Sequence, residues 1–529
     1  VGELEPFEEV VKGVVWNTVP LTMEEVSCPK TKNCLRWRGV VGAPKERRYV
    51  RVAAVAPDAL ISPFNHSLDT CLRAITERVF LVKDGSGFKN PPRPKKGVFA
   101  RTLQCAWDSL EPCLPTTAPV SHQQFVDHYK GRKKVCYQTA LDDLRAGRGN
   151  LEEDSFVKAF IKFEKTDRTI KTDPVPRVIS PRDPKYNIRV GRYLLPLEKR
   201  IFKSIRRMFK SESPVVIKGL NAEASANALR SKWDSFVDPV AVGLDASRFD
   251  QHVSFDALRW EHRVYARCFK GKHRERLLSL LRWQLVNRCS AEAPDGIVEY
   301  RVRGTRMSGD MNTSLGNCVL MCSMIYAYLK AKGVEGQLAN NGDDCVVFME
   351  RCDLARFSEG LDEWFTSLGF TMAVEPAVDE FEQVEFCQTK PVFDGHGWVM
   401  CRNPNTAITK DSVMLKCWDS PKLFRGWLDA VGTGGISLTG GLPVFQSFYN
   451  SYVRSGKYRP IPKELLPWSF RTLSMGMNRK PMVVSPEARA SFYFAYDVTP
   501  CEQIELEKYY DKLAIHGVPG EYQPRGVFL

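Results

Sequence analysis

Residues 334–339 and 345–349 read as short strands, the second apolar throughout, with the polar stretch Asn340-Asn341-Gly342-Asp343-Asp344 between them. Asn-Gly between two strands predicts a two-residue hairpin turn, because both central residues tolerate positive φ. Such a turn presents Asp343 and Asp344 at one tip, where two carboxylates repel unless a cation or a proton sits between them. Taken alone, Gly-Asp-Asp is ordinary turn composition. Its weight depends on what surrounds it.

Upstream, residues 240–244 form an apolar run that reads as a strand, 254–287 read as a long helical region, and 309–330 as a Gly/Ser/Asn loop continuing into a helix. Leu354, Phe357, Leu361 and Phe365 recur at helical spacing and predict a core-facing helix over 354–368. Residues 121–145 are helical in pattern with a break around Gly131, and over 156–197 basic residues interleave with apolar ones, as in the wall of a charged channel. Residues 1–60 read as short strands and turns without a chemical motif, and 89–96 as a stiff, basic, Pro-rich linker. After Pro391 the pattern weakens, and the glycines of 432–441 predict a flexible loop.

Composition sharpens this picture only in part. A chain of 529 residues implies several subdomains. Its net charge of +14 favours a polyanionic partner, although basic chains also occur away from nucleic acid. The 16 cysteines are scattered singly. Cys28 with Cys34, or Cys318 with Cys322, has spacing that metal sites use, but reduced thiols are the better reading, which implies a reducing, cytosolic compartment. The longest apolar candidate, 318–329, is too short to span a bilayer. The chain opens at Val1 without a Met or a signal peptide, as expected of a processed or trimmed product.

Three further elements join the hairpin. In Gly243-Leu-Asp245-Ala-Ser-Arg-Phe-Asp250, a strand ends in an acid that can share a cation with Asp343, while Asp250 lies past a turn and points elsewhere. In Ser308-Gly309-Asp-Met-Asn-Thr313-Ser-Leu-Gly-Asn317, Thr313 and Asn317 share a helical face on which a sugar hydroxyl could be read, and Gly309 allows close backbone approach. Lys162-Phe-Glu164-Lys165 and Arg177-Val-Ile179 supply cations suited to a triphosphate. Singly, these are a helix N-cap, a capped helix and a solvated basic face. Their order and spacing make chance a poor explanation.

Asp-x4-Asp, Ser-Gly-x3-Thr-x3-Asn and Gly-Asp-Asp resemble motifs A, B and C of the RNA-dependent RNA polymerases of positive-strand RNA viruses. The Lys-x-Glu-Lys and Arg-Val-Ile elements resemble motif F, and Val384-Glu-Phe-Cys-Gln388 resembles motif E. Asn65-His-Ser-Leu68, Glu77-Arg-Val-Phe80, Tyr129-Lys-Gly131-Arg-Lys and Pro176-Arg-Val-Ile-Ser-Pro-Arg182 are similar to the tombusvirus-type polymerases, carmovirus- and umbravirus-like members included. The resemblance is close over 60–400 and looser over 1–60 and 400–529.

This resemblance implies an α+β right hand of palm, fingers and thumb, with an antiparallel palm sheet flanked by helices. Residues 1–120 would form an N-terminal extension and fingertips and 121–239 the fingers. Residues 240–390 would form the palm, with a fingers insertion near 265–305, and 391–529 the thumb and C-terminal region. The implied chemistry is nucleotidyl transfer from NTPs with two divalent ions about 3.5–4 Å apart. Asp245 and Asp343 would be primary ligands, and Asp344 less direct because successive strand residues face opposite ways. Mg²⁺ suits such oxygen donors, with Mn²⁺ as a substitute.

Lys162, Lys165 and Arg177 would hold the triphosphate, with Glu164 orienting Arg177 and Gly342 shaping the turn. Ser308 and Gly309 would line the nucleotide site, and Asp250, Thr313 and Asn317 would select ribose. Implied partners are a viral RNA template and nascent strand, NTPs, and a viral auxiliary replication protein that reaches host membranes. The location would be membrane-associated replication complexes in the host cytoplasm. Initiation would be de novo, with 432–441 as a priming element. One departure stands out: no lysine occurs between Lys332 and Lys390, and Ala373 lies near where motif D carries one. The general acid is then solvent or Lys390. Rival readings are a reverse transcriptase, which shares the palm, and a non-catalytic RNA-binding scaffold, against which the intact acidic positions argue.

Overall fold

A computed structural model describes residues 7–11, 13–19, 35–52, 55, 60–415, 421–456 and 474–515. The strand Asp344–Glu350 pairs antiparallel with Gly336–Asn341 on one side and with Pro239–Ala246 on the other. Pro239–Ala246 pairs in turn with Met372–Val374, which completes a four-stranded sheet. Side chains alternate across it. Cys345, Val347 and Met349 join the apolar layer of the helix Thr313–Lys332, whereas Val346 and Phe348 pack with the helix Ala222–Trp233 on the opposite face. A strand covered on both faces requires apolar residues at every position, which is why the run at 345–349 is continuous.

A second, seven-stranded sheet lies alongside. Its order is Phe7–Val11, Val14–Val19, Leu35–Gly39, Gly296–Arg303, Val286–Ala293, Val157–Ile161 and Val178–Ile179. Asn287, expected in a helix, lies in one of these strands. The helices Phe255–Arg267 and Gly271–Leu281 end before it, and Val286–Ala293 is claimed by a hairpin with Gly296–Arg303 and by distant parallel pairing with Val157–Ile161. The N-terminal segment also makes two short ladders, Val50–Arg51 with Val413–Met414 and Ile61–Ser62 with Thr166–Asp167. It thereby ties the middle of the chain to its C-terminal third.

The fold is mixed helix and sheet, as expected. The predicted helix over 354–368 is two helices, Leu354–Ser358 and Leu361–Ser367, separated at the left-handed Gly360 (φ +68°), with Phe357, Leu361 and Phe365 buried. All described cysteines are free thiols, Cys318 and Cys322 among them buried in a helix, while Cys28 and Cys34 fall outside the described residues. Among the described residues no helix is long and apolar enough to cross a membrane.

The segment 432–441 is not a loop. Residues up to Thr439 belong to the helix Pro421–Thr439, which packs along the helix Phe445–Ser455. A β-carbon on Gly432 would lie 2.7 Å from Val453 Cγ2, and one on Gly435 would overlap the Tyr449 ring. These glycines are absent side chains at a helix–helix contact, not hinges. Gly435→Ala should therefore destabilise the protein by about 1–3 kcal/mol, the usual penalty of overpacking. Denaturant or thermal melts against wild type check this; an unchanged midpoint would mean the helices part at no cost.

Candidate active site

Asn341 and Asp344 are paired across the hairpin, so the turn consists of Gly342 and Asp343, one residue later than the Asn-Gly turn expected. Only Gly342 takes a positive φ (+82°), at the first central position, where two-residue hairpins use glycine. Asn340 stabilises the shifted turn. Its buried side chain donates from Nδ2 to the Gly342 carbonyl (2.8 Å), and its Oδ1 accepts from the Gly342 N–H (3.1 Å), so it braces the turn from inside the strand. Asp343 is left at the tip. Asp344 sits in register opposite Asp245, and directly opposed residues of an antiparallel pair share a face. The carboxylate directly across from Asp245 is thus that of Asp344, which also accepts at Oδ2 from the Cys387 N–H (2.9 Å).

Electrostatics reflect the crowding. Withdrawal from water within the cleft, with the charges of Asp250 and Asp245 added, pushes the Asp343 carboxyl up to about 6. Burial, with Asp343 and Asp245 nearby, pushes Asp344 up to about 7 in spite of its bond from Cys387. Among the described residues no three His, Cys, Asp or Glu side chains enclose an ion unaided. Asp245, Asp343 and Asp344 instead fit a hard cation whose remaining positions are filled by waters and substrate oxygens.

The second group of candidates lies behind this pair. Asn317, on the helix Thr313–Lys332, donates from Nδ2 to Asp250 Oδ1 (2.9 Å), and the Ser308 side chain is also hydrogen-bonded to Asp250. Burial raises the Asp250 carboxyl, with Asn317 and Arg306 opposing. Thr313 shares the face of Asn317 but is committed to the loop: its hydroxyl donates to the Met307 carbonyl (2.9 Å) and lies 3.4 Å from the Gly309 N–H. Gly309, at φ +137°, lies against the backbone of Ser180 and Pro181, where a β-carbon would be 3.1 Å away.

The basic candidates divide. Glu164 Oε2 is shared by Lys162 Nζ (2.8 Å) and Arg177 Nη1 (3.5 Å), so it holds both cations in one place. The Arg177 charge reaches the acidic centre, where it favours the ionised forms of Asp250 and Asp343. Lys165 is not in this group. Its ammonium donates to the Lys410 carbonyl, and burial, with Asp411 partly compensating, lowers its pKa to about 8. It is tied to the C-terminal third, apart from the Lys162–Glu164–Arg177 group. Lys390 is likewise engaged, donating to Gln383 Oε1 (2.9 Å) and the Ala495 carbonyl (3.1 Å). Ala373 is the other cross-strand neighbour of Asp245.

Sequence reasoning gave no role to Asn340, Glu261 or Arg306. Asn340 was visible as a polar residue closing a strand. Arg306 had a signal only in lying two residues ahead of Ser308, and Glu261 as a lone acid on the buried side of its helix.

Acids from two strands of an antiparallel sheet, a hydrogen-bonded Asp250–Asn317 pair and two cations held by one glutamate are thus brought together. The chain belongs to the viral RNA-dependent RNA polymerases, whose family model matches residues 35–518. It is 53% identical to the RNA-directed RNA polymerase of Oat chlorotic stunt virus (isolate United Kingdom), over 93% of this chain and 68% of that relative. The RNA-directed RNA polymerases of Tobacco necrosis virus (strain A) and Turnip crinkle virus are 43% and 42% identical, over 88% and 89% of this chain. The chain spans 64% and 60% of their lengths. The resemblance read from the motifs is borne out, and it extends beyond 60–400 at both ends.

The carboxyls of Asp343 and Asp344 titrate above the unfolded value of about 3.9. The folded state therefore holds protons that the unfolded chain has released. Without a divalent ion, stability should fall as pH rises from about 4 through 7 and level off above. Asp344→Asn should melt higher than wild type at pH 8 in chelator and show no such gain at pH 4. Added Mg²⁺ should raise the wild-type melting temperature more than the variant's. Parallel pH curves for the two proteins would refute the assignment of these shifts.

Proposed function

We propose that this chain is the catalytic part of an RNA-directed RNA polymerase of a positive-strand RNA virus, adding nucleotides from NTPs to a templated strand. The observation that carries this reading is the register: Asp344 opposite Asp245, Asp343 at the adjoining tip, and Arg177 acting on the same acids. In this reading the four-stranded sheet with its two helical layers is the palm and the seven-stranded sheet belongs to the fingers. The helices from Pro421 onward are the thumb. Two divalent ions, Mg²⁺ or Mn²⁺, would activate the attacking 3′-oxygen and neutralise the leaving one. Asp245, Asp343 and Asp344 would hold them. Lys162 and Arg177, set by Glu164, bind the triphosphate, and Asp250 with Asn317 reads the 2′-hydroxyl, which both donates and accepts. Ser308 steadies Asp250, and Thr313 and Gly309 fix the loop that carries it.

Since Lys390 is committed and Ala373 carries no proton, solvent protonates the pyrophosphate. Initiation is de novo, a reading that rests on the family and no longer on 432–441. The partners are the RNA strands, NTPs and an auxiliary viral protein that brings the chain to host membranes in the cytoplasm.

Purified protein on short RNA templates, with and without primer, tests this. Asp245→Ala and Asp343→Ala should each slow elongation by roughly a thousandfold or more, the rate equivalent of several kcal/mol. Template affinity should stay near wild type, since it comes from phosphate contacts to basic residues. Substantial elongation by either variant, or strict dependence on an added primer, would count against the respective assignment. Incorporation of dNTP as well as NTP by wild type would favour the reverse-transcriptase rival.

A further inference from the structure

Behind Asn317 lies a buried ion pair that the proposed chemistry does not use. Arg306 is 3% exposed and Glu261 0%. The guanidinium meets the carboxylate twice, through Nη1 to Oε1 (3.1 Å) and through Nη2 to Oε2. Glu261 Oε1 also accepts from Asn312 Nδ2 (2.7 Å) and the Tyr265 hydroxyl (2.7 Å). The third face of the guanidinium points at the nucleotide side: Arg306 Nε donates to Asn317 Oδ1 (2.9 Å), and its main-chain N–H donates to the Asp250 carbonyl (2.9 Å). Room for the pair is made by Gly316, where a β-carbon would overlap Glu261 Oε1 and come within 2.5 Å of Arg306 Nη2.

We infer that Arg306, anchored by Glu261, is a positioning residue for sugar selection, acting by fixing the orientation of the Asn317 amide. This rests on the reading of Asp250 and Asn317 as the 2′-hydroxyl site. A guanidinium has donors and no acceptor, so only the amide oxygen can face it. The amide nitrogen is then forced toward Asp250, whose carboxylate only accepts. The reversed amide would set N–H against N–H on one side and oxygen against carboxylate on the other. With the orientation fixed, one Asn317 N–H and unspent lone pairs of Asp250 remain side by side, a donor next to an acceptor. That is the pairing a 2′-hydroxyl requires, and a site built to bond a hydroxyl rejects the analogue lacking it. Without the anchor the amide is free to rotate and the pairing is lost for part of the time.

The test measures NTP and dNTP incorporation efficiencies, with melting temperature, for three variants. Arg306→Lys keeps the charge but loses the planar fork, and NTP/dNTP discrimination should fall roughly tenfold or more, the worth of one hydrogen bond to a charged group. The fall should come through higher KM for NTP. Because a buried charge left unpaired can prevent folding, the double variant Arg306→Gln with Glu261→Gln removes both charges together. A glutamine amide can donate or accept, so Asn317 can take either orientation and discrimination should fall here too. Tyr265→Phe removes a bond to Glu261 without touching Asn317; it should lower the melting temperature and leave discrimination unchanged. Wild-type discrimination in either folded Arg306 variant, or a Tyr265→Phe loss equal to theirs, overturns the inference. Absence of RNA synthesis by wild type would instead overturn the polymerase reading on which it stands.

Discussion

Carboxylates that repel one another must be held together by the chain that carries them, and the surroundings of the hairpin answer to that requirement. Asp344 and Asp245 are opposed by strand register, which no side-chain rotation can undo. The register is fixed because both faces of the sheet are buried, and a slip of one residue would exchange Val346 and Phe348 with Cys345, Val347 and Met349 between two different helical layers. Core packing thus stabilises an arrangement that electrostatics alone would open. The turn is braced by Asn340 and the Asp344 carboxylate by the Cys387 N–H, so the polar atoms nearest the charges are already satisfied. Stability given up at such a site is the common cost of function.

The hairpin could be read from sequence because its signals are local: two apolar stretches, a glycine, and a turn of polar residues. Its phase could not. Whether Asn341-Gly342 or Gly342-Asp343 forms the turn depends on which residues face which helix, and those helices lie far away in sequence. The same limit explains 432–441. Glycines in a row look flexible when considered alone, and only Tyr449 and Val453 on the next helix reveal that their missing side chains are filled space. The short ladders that join Val50–Arg51 to Val413–Met414 carry no local signature at all.

Charge composition was similarly blind to direction. Lys162 and Lys165 stand three residues apart in one basic motif, yet one is paired with Glu164 and the other is buried against the Lys410 carbonyl. Lys162 follows the strand Val157–Ile161 and is placed by a main-chain bond to Arg177, so the two cations meet across a ladder. Lys165 precedes the two-residue strand Thr166–Asp167, whose partner strand Ile61–Ser62 packs through Ile61 with Val413 of the C-terminal third. A motif states which residue types are present; the ladder decides which of them face the same ligand.

Asp250 joins the two halves of the site. Its charge raises the Asp343 carboxyl, and its own carboxyl is drawn toward ionisation by Asn317, Arg306 and Arg177. Any group that holds Asp250 anionic therefore also makes a proton at Asp343 easier to keep and a cation there more favourable to bind. The Asp250–Asn317 pair and the hairpin acids are for that reason electrostatically coupled. Arg306 and Arg177 both act on the Asp250 carboxylate and oppose the effect of its burial. A cation bound at Asp343 would relieve the repulsion that Asp250 imposes on it.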